Sequence, residues 1–117
     1  MIETSKDIEK FLELVKNNLE CHRLNYEQVG IEDKRTTDFL HSIEFSKEKD
    51  LGKVALDFHN SRETRRIAKN YVLGTTAIFK LNQELGGKLV PLLERALEMQ
   101  KNAESYLNGA KEYKSRS

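Results

Sequence analysis

The stretch from Asp50 to Leu85, DLGKVALDFHNSRETRRIAKNYVLGTTAIFKLNQEL, decides the fold. No proline interrupts it, and only Gly52 and Gly74 weaken it as a helix. At a rise of 1.5 Å per residue the predicted helix is about 50 Å long. A compact domain of this size is only about 35 Å across. The helix must therefore break, with Gly74 as the candidate point, or extend into a partner chain. At about 100° per residue, Val54, Ser61, Ala68, Val72 and Phe79 share one side, and Leu56, Ile67, Tyr71, Ile78 and Leu81 share nearly the opposite one. A helix apolar on two faces needs two packing partners. One is expected to be the last helix, folded back as an antiparallel hairpin. The other is either the N-terminal helices or a second subunit, and a homo-oligomer is the favoured reading.

Downstream, Gly86-Gly87 closes this helix, because glycine adopts the left-handed conformation that ends one. The last helix is predicted from Lys88, with Pro91 in its first turn where a missing amide matters little. Leu89, Leu92, Leu93, Ala96, Leu97, Ala103 and Leu107 form its buried face, and Asn108-Gly109 stops it. Ala110 to Ser117 reads as a frayed basic tail. Upstream, Thr4-Ser5-Lys6-Asp7 is a helix start with a hydroxyl cap and an acid near the first amides. Ile8, Phe11, Leu12, Val15 and Leu19 continue it as one apolar stripe that fades after Cys21-His22. Asn25 to Gly30 reads as a loop. A second helix is expected from Thr36 or Thr37, with Phe39, Leu40 and Ile43 apolar, and Ser46 to Asp50 is a polar joint. The expectation is an all-α protein: a long antiparallel helical hairpin plus shorter N-terminal helices, assembled as an oligomer. Residues 1–109 form one helical domain and 110–117 the tail.

Composition bounds the function. The 117 residues suffice for one core. With 38% hydrophobic and 33% charged residues, Pro 1, Trp 0 and Gly 6, the chain is too apolar for disorder and too poor in turn residues for a sandwich or barrel. Twenty basic residues against 19 acidic ones leave no global basic field, so a nucleic-acid partner is disfavoured unless a local patch binds it. No apolar run approaches the ~20 residues of a membrane span, so no membrane partner is expected. The N-terminus lacks a signal-peptide pattern. The single cysteine, Cys21, allows no intrachain disulfide, and a cytosolic protein is the simplest reading.

Between the apolar faces of the long helix lies a third strip: Phe58, His59, Arg62, Arg65, Arg66 and Lys69, with Asn70 at its margin. Arginine forks match phosphate geometry, so the strip is a candidate anion site, with Phe58, His59 and Tyr71 as stacking surface, although Tyr71 lies on another side of this helix. The bland alternative is a solvated face paired to acids on neighbouring helices. Asp38-x-x-His41-x-x-Glu44 is a second cluster. Its donors suit zinc, manganese or iron, yet a helical di-iron site needs two Glu-x-x-His motifs and two more glutamates. The bland reading has Asp38 and Glu44 neutralising Arg62, Arg65 or Arg66. Cys21 and His22 are adjacent and point different ways on a helix, a poor nucleophile and base. Phosphate loops, dinucleotide fingerprints, Cys-x-x-Cys and His-Glu-x-x-His are absent from the sequence. An enzyme is therefore disfavoured, and no catalytic residue, metal or cofactor is expected.

Asp38-x-x-His41-x-x-Glu44 followed by Arg62-x-x-Arg65-Arg66-x-x-Lys69-Asn70 resembles a pattern in small helical proteins of phages and prophages. The likeness covers residues 36–72. Within that group the chain most resembles the Thoeris anti-defence sponges, oligomers that sequester cyclic ADP-ribose isomers and, in some members, cyclic oligonucleotides without cutting them. The resemblance implies a phage-encoded, homo-oligomeric protein in the cytoplasm of an infected bacterium. It also implies Arg62, Arg65, Arg66, Lys69 and Asn70 at the pyrophosphate and ribose, with His41 and Glu44 ordering the site. The alternatives are a phage regulator or inhibitor that binds nucleic acid or a host protein, and a small metal-dependent enzyme using His41 with Asp38 and Glu44.

Overall fold

The computed structural model describes residues 3–45 and 51–109, with side-chain surroundings given for 3–41 and 52–109. The described residues form three helices and no strand: α1 (Thr4–Phe45), α2 (Leu51–Glu84) and α3 (Leu89–Leu107). The protein is all-α. The Ser46–Asp50 joint and the 110–117 tail lie outside the described residues. Among the described residues, no helix is long and apolar enough to cross a membrane.

The N-terminal half corrects the expectation of two short helices. α1 is one helix of 42 residues, and the segment from Asn25 to Gly30, expected as a loop, is helical throughout. Its packed positions continue through the gap in the apolar stripe, but with polar side chains. Asn25, Val29, Glu32, Thr36 and Phe39 recur at alternating spacings of four and three, and all are buried or half-buried. Local bonds support the same stretch. Asn25 Nδ2 donates to the Cys21 carbonyl at 2.8 Å, and Arg23 bridges Glu20 and Glu27 at 2.5 and 2.9 Å. α2 runs unbroken through Gly74, so the break considered there does not occur.

The chain divides into two compact units. The middle unit, Leu19–Ala77, pairs the later part of α1 with most of α2. Phe39 meets Phe58 edge-on, with ring centroids 6.3 Å apart. Glu32 meets Ser61, and Asp33 meets Arg65. The packed side of α2 is Val54, Phe58, Ser61, Arg65, Ala68, Val72 and Thr75, again at alternating four and three. Of the positions grouped with Val54 by periodicity, Ser61 and Ala68 are buried and Val72 half-buried, as that grouping requires.

The other unit joins residues up to Asn18 with those from Ile78 onward. Leu12, Val15 and Leu89 are its buried apolar side chains among the described residues. The buried carboxylate of Glu104 receives the Ser5 backbone amide on both oxygens at 3.2 Å. An acid from α3 thus occupies the positive end of α1, the role the sequence suggested for local hydroxyls. α2 ends as expected at Gly86 and Gly87, with φ of 65° and 77°. The Gly87 amide reaches the Asn82 carbonyl and the Gly86 amide that of Gln83, the paired bonds of a Schellman turn. Asn82 Oδ1 then accepts the Leu89 amide at 3.1 Å, so the end of α2 caps the start of α3.

Candidate functional site

The cationic strip lies along one flank of α2 in the middle unit, and its members have different surroundings. Arg65, 24% exposed at its side chain, donates from Nε to Asp33 at 2.5 Å. Arg66 is exposed and bonded at 2.7 Å to Glu63, one turn back on the same helix. That bond and the nearby positive charge hold the Glu63 carboxyl below the usual carboxylate range and raise the guanidinium in turn. Arg62 and Lys69, seven residues apart, are exposed and form no ion pair among the described residues. His59 and Asn70 are exposed too, whereas Phe58 is half-buried against Phe39. The strip therefore contains one structural arginine, one loosely tethered arginine and two open cations.

Among the described residues, the acid that reaches the strip from α1 is Asp33. Once α1 is continuous, the spacing of Val29, Glu32, Thr36 and Phe39 fixes which side faces α2. Asp38 and His41 then fall about 150° round the helix from that side, and both are exposed. The Glu44 side chain lies outside the described residues. Among the described residues, no group of three or more His, Cys, Asp and Glu side chains is gathered around a metal-sized space.

Behind the strip sits a polar cluster that hydrophobic periodicity did not reveal. Glu32 is fully buried. Its Oε1 accepts from Gln28 and from Arg35, each at 2.8 Å, and its Oε2 accepts from the Ser61 hydroxyl. Three donors meet the requirement that a buried charge be paired and hydrogen-bonded. On the flank opposite Asp33 and Arg65, a cavity of about 290 Å³ is lined by Arg35, Phe39, Asp57, Asn60, Ser61 and Thr64. The sequence signal for this cluster is positional. Glu32 occupies a seam position between Val29 and Thr36, where an apolar residue is the norm.

Comparison of the chain with protein-family models, with curated proteins and with solved structures finds no match in any of the three. The functional reading rests on the residues themselves.

Proposed function

We propose that this chain is a non-catalytic binding protein that captures a compact nucleotide anion on the open flank of α2. The cyclic ADP-ribose isomers of the resembled family are the first candidates, and cyclic oligonucleotides the next. In this reading the long helices are arranged as antiparallel hairpins, and the chain works as a homo-oligomer in the cytoplasm of a phage-infected bacterium.

The observation that carries the reading is the pair Arg62 and Lys69, exposed and without an ion pair among the described residues, on either side of an arginine bonded to Asp33. Arg65 is bonded across to Asp33 of α1, so its neighbours project from a stretch of α2 tied to the adjoining helix. A pyrophosphate offers two negative charges, which Arg62 and Lys69 can meet together. Arg66 can exchange its exposed bond with Glu63 for a phosphate oxygen, because surface ion pairs contribute little and charge-assisted bonds to phosphate are stronger. His59 and Asn70 stand at the margins for the base and ribose. Sequestration acts by mass action and needs affinity rather than a reactive group; a nanomolar dissociation constant corresponds to about −12 kcal/mol.

The test is capture and release. The pure protein is mixed with cyclic ADP-ribose isomers and cyclic oligonucleotides, freed of unbound ligand, heated, and the supernatant is chromatographed. Intact ligand released only by heat is expected. The exposed substitutions Arg62→Ala and Lys69→Ala should each weaken retention at least tenfold while leaving the circular dichroism spectrum unchanged. Chemically altered ligand would make the protein an enzyme. Passage of every compound in the first flow-through would reject a nucleotide ligand in favour of a macromolecular one.

A further inference from the structure

Beside the Glu32 cluster, the cavity between α1 and α2 of the middle unit brings together two opposite charges that are not bonded to each other. Arg35 comes from α1 and Asp57 from α2, and both line the same space of about 290 Å³. Arg35 commits only Nη1, to Glu32 at 2.8 Å, while its Nε and Nη2 have no partner among the described residues. A guanidinium carries five N–H donors, so most of its capacity is open. Asp57 is exposed and takes part in no hydrogen bond or ion pair among the described residues.

The hydroxyls of the cavity are already oriented. Ser61 gives its hydrogen to Glu32, and Thr64 gives its own to the Asn60 carbonyl at 3.0 Å. A hydroxyl has a single hydrogen, so both oxygens have only lone pairs to offer an occupant. Asp57, Ser61 and Thr64 follow one another at spacings of four and three, on one side of α2. That side is therefore a row of acceptors, which suits a donor-rich group such as an ammonium. The open donors are those of Arg35 and of the Asn60 side-chain amide, which has no described bond of its own. Half-buried Phe39 supplies an apolar wall. The volume stands at the lower bound of the ~300–1,000 Å³ of small-molecule pockets, so the occupant is small.

We propose that this cavity binds a small zwitterion of the amino-acid type, its ammonium on the acceptor row headed by Asp57 and its carboxylate at Arg35. A simple anion would meet the charge of Asp57, and a simple cation would leave the open donors of Arg35 unmatched. A molecule bearing both charges answers both, and a guanidinium–carboxylate contact is among the stronger hydrogen-bonded pairs. The site is separate from the cationic flank, since it lies on the side of α2 away from Asp33 and Arg65. It does not depend on nucleotide capture.

The full chain is titrated by calorimetry with glycine, γ-aminobutyrate and free lysine, and with butylamine and butyrate as single-charge controls. At least one zwitterion is expected to bind, at least tenfold more tightly than either control. Asp57→Asn should weaken that binding at least tenfold with the circular dichroism spectrum unchanged, because Asp57 has no described bond to lose. Thr64→Val, which keeps the shape and removes an acceptor, should weaken it as well. Arg62→Ala, on the other flank, should leave it unchanged. No binding of any zwitterion at millimolar concentration would overturn the proposal. Equal affinity for butylamine would also overturn it, by making the space a plain cation site. Affinity retained in both Asp57→Asn and Thr64→Val, or lost in Arg62→Ala, would place the binding elsewhere and overturn it too.

Discussion

Glu32 is the residue on which the middle unit is most exposed to damage. Its carboxylate is fully buried and held by Gln28, Arg35 and Ser61, so removing it leaves the buried Ser61 hydroxyl and the Gln28 amide without their acceptor and frees the exposed Arg35 to solvent. Breaking a buried charged cluster from one side costs about 3 kcal/mol. Glu32→Ala should lower the urea midpoint by that equivalent, and Glu32→Gln, which keeps the shape and one acceptor, by about half as much. Equal midpoints for wild type and Glu32→Ala would show that the cluster contributes nothing net. Asp33, beside it in sequence, has a different role. Its side chain is 53% exposed, and its bond to Arg65 orients the cationic flank more than it stabilises the fold.

At the level of elements, the connection from α2 to α3 has both of its ends satisfied by one residue. The Asn82 carbonyl accepts the Gly87 amide and its side-chain oxygen accepts the Leu89 amide. Asn82→Ala keeps the first bond and loses the second, as when an N-cap is removed, and should cost about 1 kcal/mol. Thermal unfolding of the variant against wild type measures this, and an unchanged midpoint would mean that water replaces the cap without loss. α1 depends on a different device. It spans a glycine at position 30 and a polar stretch by combining seam packing with surface pairs such as Arg23 with Glu20 and Glu27.

For the whole molecule, 20 basic and 19 acidic residues nearly cancel, and pH enters through particular pairs. Bonds to Arg23 and Arg66 hold the Glu20 and Glu63 carboxyls below their ordinary value of 4.5. A carboxyl lowered on folding contributes stability that is fully present above its unfolded value and is lost as pH falls through the lower folded one. The contribution of these exposed pairs, small because solvent screens them, should therefore be lost on the acid side of about pH 4.5. Glu20→Gln with Glu63→Gln should narrow the gap between urea midpoints at pH 7 and pH 3. An unchanged gap would assign the acid sensitivity to other carboxylates.

The helical class, the extent of α2, the glycine turn after it and the span of α3 are legible in the residues alone. Those signals are local: absence of proline across a periodic run, glycines able to take positive φ, and Pro91 placed in a first turn. Ser61, Ala68 and Val72 were legible as a packed side because their spacing alone selects a face. The tertiary structure decided that α1 is continuous, because its seam carries Asn25, Glu32 and Thr36, and hydrophobic periodicity does not register polar residues that become buried by pairing. It also decided which acid meets the arginines. Asp38 was near enough in sequence to be chosen, but with the helix unbroken Asp33 faces α2 and Asp38 points away. The partners of a buried charge are set by the relative rotation of two packed helices, and that rotation exists only once the helices are docked.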